Sequence, residues 1–135
     1  MSRPATLKEA VVMALAGSKS FGDAVDEFVD AFYLDHGRRE RQQAMIDEAP
    51  PLTGEPAKDA WIGAVGEHLA GRWGLTIPAW SRRPGHYRLG LPKFIPETVA
   101  LRPTLLCESP AAFRSRMIFT FAEPLQRARF PREPH

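Results

Sequence analysis

The chain has 135 residues, 44% hydrophobic and 25% charged, the composition of an ordinary one-domain globular protein. No apolar run approaches the roughly 18 residues that cross a membrane, the opening MSRPATLKEAV has no signal-peptide core, and a single cysteine, Cys107, excludes an internal disulfide framework and fits a reducing cytoplasm. The net charge of +2 is unevenly divided: residues 1–70 carry 7 basic and 12 acidic side chains, residues 71–135 carry 11 and 4. Such a basic half either meets an acidic partner, protein or nucleic acid, or neutralises the acidic half within the fold.

In chain order, Thr6-Leu7-Lys8-Glu9 has the form of a capping box, and Leu7, Val11, Ala14 and Leu15 mark the apolar face of a first helix that Gly17-Ser18 ends. Ser20 to Asp23 repeats the box. From Phe21, apolar residues through Ala24, Val25, Phe28, Val29, Phe32 and Tyr33 recur at helical spacing. The polar face of this second helix carries Asp23, Asp26, Glu27 and Asp30. Four carboxylates are wrong for a recognition helix, which must approach phosphates. Asp35 to Gly37 is a turn, Arg38 to Glu48 a third, more exposed helix with Met45 and Ile46 inward, and Ala49 to Pro56 a Pro/Gly connector.

Asp59 to Trp80 (DAWIGAVGEHLAGRWGLTIPAW) is the stretch around which the rest is organised. Asp59 is placed to cap a helix. Trp61, Val65, Leu69 and Trp73 fall on one face, and Gly74 is suited to a left-handed stop. Gly63, Gly66 and Gly71 each cost about 1 kcal/mol in a helix; either they admit a neighbouring backbone or they are tolerated defects. Pro78-Ala79-Trp80 then folds the indole back onto the helix or a neighbour.

Beyond Trp80 the texture is irregular. Ser81 to Gly90 reads as a loop and Leu91 to Pro96 as extended chain. Glu97 to Leu101 allows one helical turn, and Ser109-Pro110 opens a short helix toward Arg116. Met117 to Phe121 fits strand or helix. Glu123-Pro124 opens a last short helix through Leu125 and Ala128, and Arg129 to His135 is a loose tail.

Residue patterns for chemistry are sparse. His36, His68, His86 and His135 have no zinc-like spacing, and Glu67 and His68, being successive on a helix, point apart. Cys107 stands beside the anionic Glu108, a poor setting for a reactive thiolate, so a buried structural cysteine is expected. No P-loop, dinucleotide fingerprint or nucleophile elbow is present, and no catalytic residue, cofactor or metal is assigned. What remains is a surface. Arg82, Arg83, Tyr87 and Arg88 lie beside Trp80, and Arg114, Arg116, Arg127 and Arg129 flank Phe113, Ile118, Phe119 and Phe121. Arginine with aromatics is the composition of interface hot spots and also suits single-stranded nucleic acid; the alternative is core aromatics with ordinary surface arginines.

The segments SFGDAVDEFVDAFY, PPLTGEP, DAWIGAVGEHLAGRWGLTIPAW, ESPAAFRSRMIF and LQRAR together resemble a family of small bacterial proteins encoded just upstream of nucleotidyltransferase-like toxins and regarded as their antitoxins. The likeness spans Leu7 to Arg129. It departs from the family at Lys93-Phe94, where a Trp-containing pair is usual, and the chain lacks the winged-helix domain of a better-known antitoxin class. The resemblance implies a cytoplasmic protein, not an enzyme, that neutralises a cognate toxin by protein–protein contact; the alternative is a nucleic-acid-binding or regulatory module using the basic half. Toxin active sites of this type are built on metal-binding carboxylates, which a basic surface complements. Candidate contacts are therefore Trp80, Arg82, Arg83, Tyr87, Arg88, Arg114 and Arg116. The expected fold is all-α, a single-domain helical bundle: helices over 1–74, then an irregular, Pro-rich, basic half over 75–135.

Overall fold

The computed structural model describes residues 3–127. These are mostly helical, as the periodicity predicts. Helices α1 (Leu7–Leu15) and α2 (Phe21–Leu34) pack on each other through Leu7, Val11, Phe28 and Phe32. Both predicted caps form: Thr6 Oγ1 accepts from the Glu9 N–H at 3.0 Å and Ser20 Oγ from the Asp23 N–H at 3.1 Å. The Glu9 carboxylate reaches one residue further back than in a capping box, accepting from the Ala5 N–H at 3.2 Å. Gly37, at φ 91°, turns the chain into α3 (Arg39–Asp47), which buries Met45 and Ile46 as expected. Gln42 is buried with them because its amide donates to the Phe32 carbonyl at 3.1 Å.

The central helix α4 runs Pro56–Arg72, one turn earlier than the Asp59 cap predicts. Proline at the first helical position needs no N–H and is preset for the helix, so Pro56 sets the start. Asp59 falls inside the first turn, buried, where Oδ1 accepts from both the Thr53 N–H and hydroxyl at 2.8 Å. It fastens the preceding connector rather than the helix end. Gly74, at φ 71°, ends the helix as predicted. Burial extends well beyond the Trp61–Val65–Leu69–Trp73 face: Ala60, Gly63, Ala64, Gly66 and Ala70 are buried too. A helix packed on several sides belongs at the centre of a fold, and small residues let neighbours approach.

The second half wraps α4. Two 3-10 turns, Ala79–Arg82 and Pro84–His86, lie on the helix. Trp80 folds back as expected, its indole N–H donating to the Ile46 carbonyl at 2.9 Å. After α5 (Arg102–Glu108) and α6 (Ala111–Arg114), β2 (Ile118–Phe119) pairs in parallel with β1 (Lys93–Phe94). This two-stranded ribbon is the departure from an all-α reading among the described residues. Parallel pairing requires a long crossover, and α5 and α6 supply it. Met117, at φ 67°, turns the chain into β2.

Three local expectations fail. Ser109 does not cap α6; its hydroxyl accepts from the Thr120 N–H at 2.8 Å and so joins the end of α5 to β2. Cys107 is exposed, since Leu105 is the residue α5 turns inward and two positions further on a helix faces the other way. Pro124 and Leu125 form a turn, not a helix, while Ala128 and the 129–135 tail lie outside the described residues. No described helix is long and apolar enough to cross a membrane.

Candidate interaction surface

The surface is built on one close approach. A Cβ on Gly63 would sit 2.0 Å from the His86 carbonyl oxygen, and one on Gly66 would sit 3.0 Å from the Trp80 ring. These two glycines admit the 80–87 segment onto α4. Gly71 meets nothing within 4 Å and plays no such part.

Arg116 locks that approach. It is fully buried, at 0% exposure. Its Nε donates to the His86 carbonyl at 3.0 Å, Nη2 to the Ser81 carbonyl at 2.6 Å, and Nη1 to the Ala112 carbonyl at 2.7 Å and Glu67 Oε1 at 2.9 Å. The guanidinium also lies over the Tyr87 ring at 4.8 Å. One side chain thus joins α4, both 3-10 turns and α6. A planar fork with five donors can serve four acceptors at once. Glu67 completes the lock by accepting a second arginine, Arg82, at 2.9 and 3.2 Å. Burial pushes the Glu67 carboxyl up, but hydrogen bonds from Arg82 and Arg116 outweigh it and hold the group below the usual range. Burial pulls the Arg116 pKa down against the opposing pull of Glu67.

The predicted contact residues therefore divide. Trp80 (3% exposed) and Arg116 are withdrawn as contacts, because both are buried and hold the loop in place. Tyr87 is half-buried beneath Arg116. Arg82 is exposed but spends its fork on Glu67. Arg83, Arg88 and Arg114 are exposed, and among the described residues none has a carboxylate within ion-pair distance. Arg88 rests 3.6 Å from the Met117 sulfur, and Arg114 donates to the Ser109 carbonyl at 3.1 Å. Arg88 therefore sits at the entry to β2 and Arg114 at the junction of α5 and α6. Missed from sequence was Arg102, whose guanidinium lies 4.8 Å over the Phe94 ring.

On α2, Asp26, Glu27 and Asp30 are paired, while Asp23 has no ion pair among the described residues. The acidic stripe of α2 is met by Arg127, on Asp30 at 2.9 Å and Asp26 at 3.2 Å, and by Lys19 on Glu27 at 2.8 Å. An apolar groove of about 460 Å³ lies among Phe21, Val25, Trp61 and Leu125. Its lining carries Asp26 and Glu55 with Lys58 and Lys93, so it has no bias toward one charge sign.

Glu67 is held by Arg82 and Arg116 and makes no hydrogen bond to His68 among the described residues. His68 meets the Phe113 ring at 5.5 Å, and burial pushes its pKa down to about 4, against the pull of Glu123 and helped by Arg72. Between the ordinary value of 6.5 and about 4, the unfolded chain holds a proton that the folded chain does not. Stability contributed by neutral His68 is complete above pH 6.5 and lost as pH falls toward 4, about 3 kcal/mol in all. Urea unfolding at pH 7 and pH 4.5 should show the variant His68→Gln losing markedly less stability between the two than the parent; equal losses would refute this assignment. No protein-family model, curated protein or solved structure matches this chain.

Proposed function

We propose that this chain is an antitoxin-like binding protein that neutralises a nucleotidyltransferase-type toxin by protein–protein contact, without chemistry of its own. The observation that carries this reading is that Arg83, Arg88 and Arg114 are each exposed and, among the described residues, have no carboxylate within ion-pair distance, next to a frame held by Arg116. Exposed cations with no carboxylate beside them form a field that steers an acidic partner. A metal-binding carboxylate site on a nucleotidyltransferase has the matching sign, and the segments cited above resemble a family encoded beside such enzymes.

Co-expression with the product of the adjacent reading frame tests the proposal. The pair should co-purify and growth should be restored. The triple variant Arg83→Ala/Arg88→Ala/Arg114→Ala should bind about tenfold or more weakly, mainly through slower association and with a flatter salt dependence. Failure of the parent chain to co-purify would overturn the reading. Retention on nucleic acid without any protein, falling steeply with salt, would favour the nucleic-acid alternative instead.

A further inference from the structure

The outer face of the β1–β2 ribbon takes no part in the Arg116 lock. Phe94 and Phe119 are register partners with rings stacked at 5.3 Å and 29°. Arg102 lies over the Phe94 ring, so guanidinium, ring and ring form one column. Ile118 and Thr120 are buried, while Phe119 is only partly covered and Phe121 is 42% exposed. Alternation along an extended chain puts Phe119 and Phe121 on the same outward side. Leu106, 43% exposed, stands one helical turn from Arg102 on α5, which packs against β2. Phenylalanines and a leucine are thus presented to solvent around Arg102, with Arg88 on Met117 just before β2 and Arg114 on the carbonyls that end α5.

We infer that this ribbon face is the docking core for the acidic protein partner, with Phe94, Phe119, Phe121 and Leu106 as its apolar centre and Arg88, Arg102 and Arg114 as its cationic rim. The inference rests on the proposed function and adds to it where the partner sits and what it presents: an apolar recess bordered by carboxylates. Contiguous exposed apolar groups mark interaction sites in soluble proteins, and an arginine stacked on a ring surrounded by apolar contacts is the composition of a hot spot. The rim selects the occupant. Two copies of the chain would bring the same arginines face to face, which like-charge repulsion opposes. Stacking of nucleic-acid bases needs free ring faces, and the Phe94 ring already packs against Phe119 and Arg102.

The test is titration calorimetry of the full chain with the product of the adjacent reading frame, using Phe121→Ala, Leu106→Ser and, as a charge comparator, Arg83→Ala. Phe121 and Leu106 are exposed, so both variants should keep the parent's circular dichroism and melting behaviour. The affinity should fall about 30-fold or more for Phe121→Ala and about fivefold for Leu106→Ser. A parent chain that binds while both variants bind within about twofold of it, on the same scale of effects, overturns this inference and leaves the proposed function standing. A parent chain that does not bind overturns both. Sedimentation of the chain alone and titration with single-stranded oligothymidylate complete the test. Self-association or oligonucleotide binding that Phe121→Ala abolishes assigns the face to another occupant and overturns the inference.

Discussion

Replacing Arg116 by alanine is expected to destabilise the fold by about 3–5 kcal/mol, chiefly because three buried carbonyls lose their donors. The carbonyls of Ser81, His86 and Ala112 lose charge-assisted donors at 2.6–3.0 Å in a buried setting, and each such loss costs about 1–3 kcal/mol before the loop relaxes. Glu67 keeps Arg82 and so is not stranded. Arg116→Met separates volume from hydrogen bonding: it fills the space and serves no carbonyl, so it should remain at least about 2 kcal/mol less stable than the parent. Arg116→Lys should also fail, because one ammonium cannot reach acceptors spread around a planar fork. Urea unfolding measures all three. A methionine variant as stable as the parent would show that Arg116 only fills space.

Gly63→Ala is the second large effect, and its sign is decided by magnitude. Alanine in place of glycine favours a helix by about 1 kcal/mol. The added Cβ, however, would stand 2.0 Å from the His86 carbonyl oxygen, with the Ser81 carbonyl and Arg116 Nε each at 3.0 Å. The 2.0 Å contact is with backbone, so no rotamer change relieves it and the 80–87 segment must move. Overpacking of this kind costs about 1–3 kcal/mol and occasionally more, and here it also pulls the His86 carbonyl from Arg116. With the weakened hydrogen bond counted, a net loss of about 1–3 kcal/mol is expected. The two sites share one lock, so their effects should not add: Arg116→Ala should cost clearly less in the Gly63→Ala background. Gly71→Ala, with open space around it, serves as the control and should be neutral or stabilising by up to about 1 kcal/mol. Strict additivity of the first pair would contradict the lock.

Local features of the fold were legible in the sequence because their causes are local. The period of α2, the Thr6 and Ser20 hydroxyls, the Gly74 stop and the return of Trp80 need only neighbouring residues to be understood. Gly63 and Gly66 hinted at a close approach, though not at which segment approaches. Arg116 was assigned to the surface because arginine is almost never fully buried unless paired. Its partners lie 30, 35 and 49 residues away at His86, Ser81 and Glu67, where no spacing rule reaches. The ribbon was hidden for a related reason: two residues per strand carry no periodicity, and the register Phe94↔Phe119 spans the whole α5–α6 crossover. Lys93-Phe94 stood out only as a departure from the pattern of the resembling family, and the structure places it in the Arg102–Phe94–Phe119 column.

The surface that results depends on burial of one arginine and exposure of others. Glu67 and Arg116 consume charge inside the molecule, while Arg83, Arg88 and Arg114 keep theirs at the surface without a described carboxylate within ion-pair distance, and Arg102 lies over the Phe94 ring with its charge also felt by Glu97. Substitutions in the lock should therefore weaken partner binding in proportion to the stability they remove, whereas substitutions among the exposed residues should weaken binding with stability unchanged.

Hydrogen–deuterium exchange of the chain, alone and mixed with the product of the adjacent reading frame, tests the central claim most directly. Protection gained on mixing should concentrate in residues 82–95, 102–108 and 114–121, which carry the exposed arginines, Leu106 and the phenylalanine ribbon. Protection confined to the acidic face of α2, or no protection anywhere, would contradict docking through the basic half.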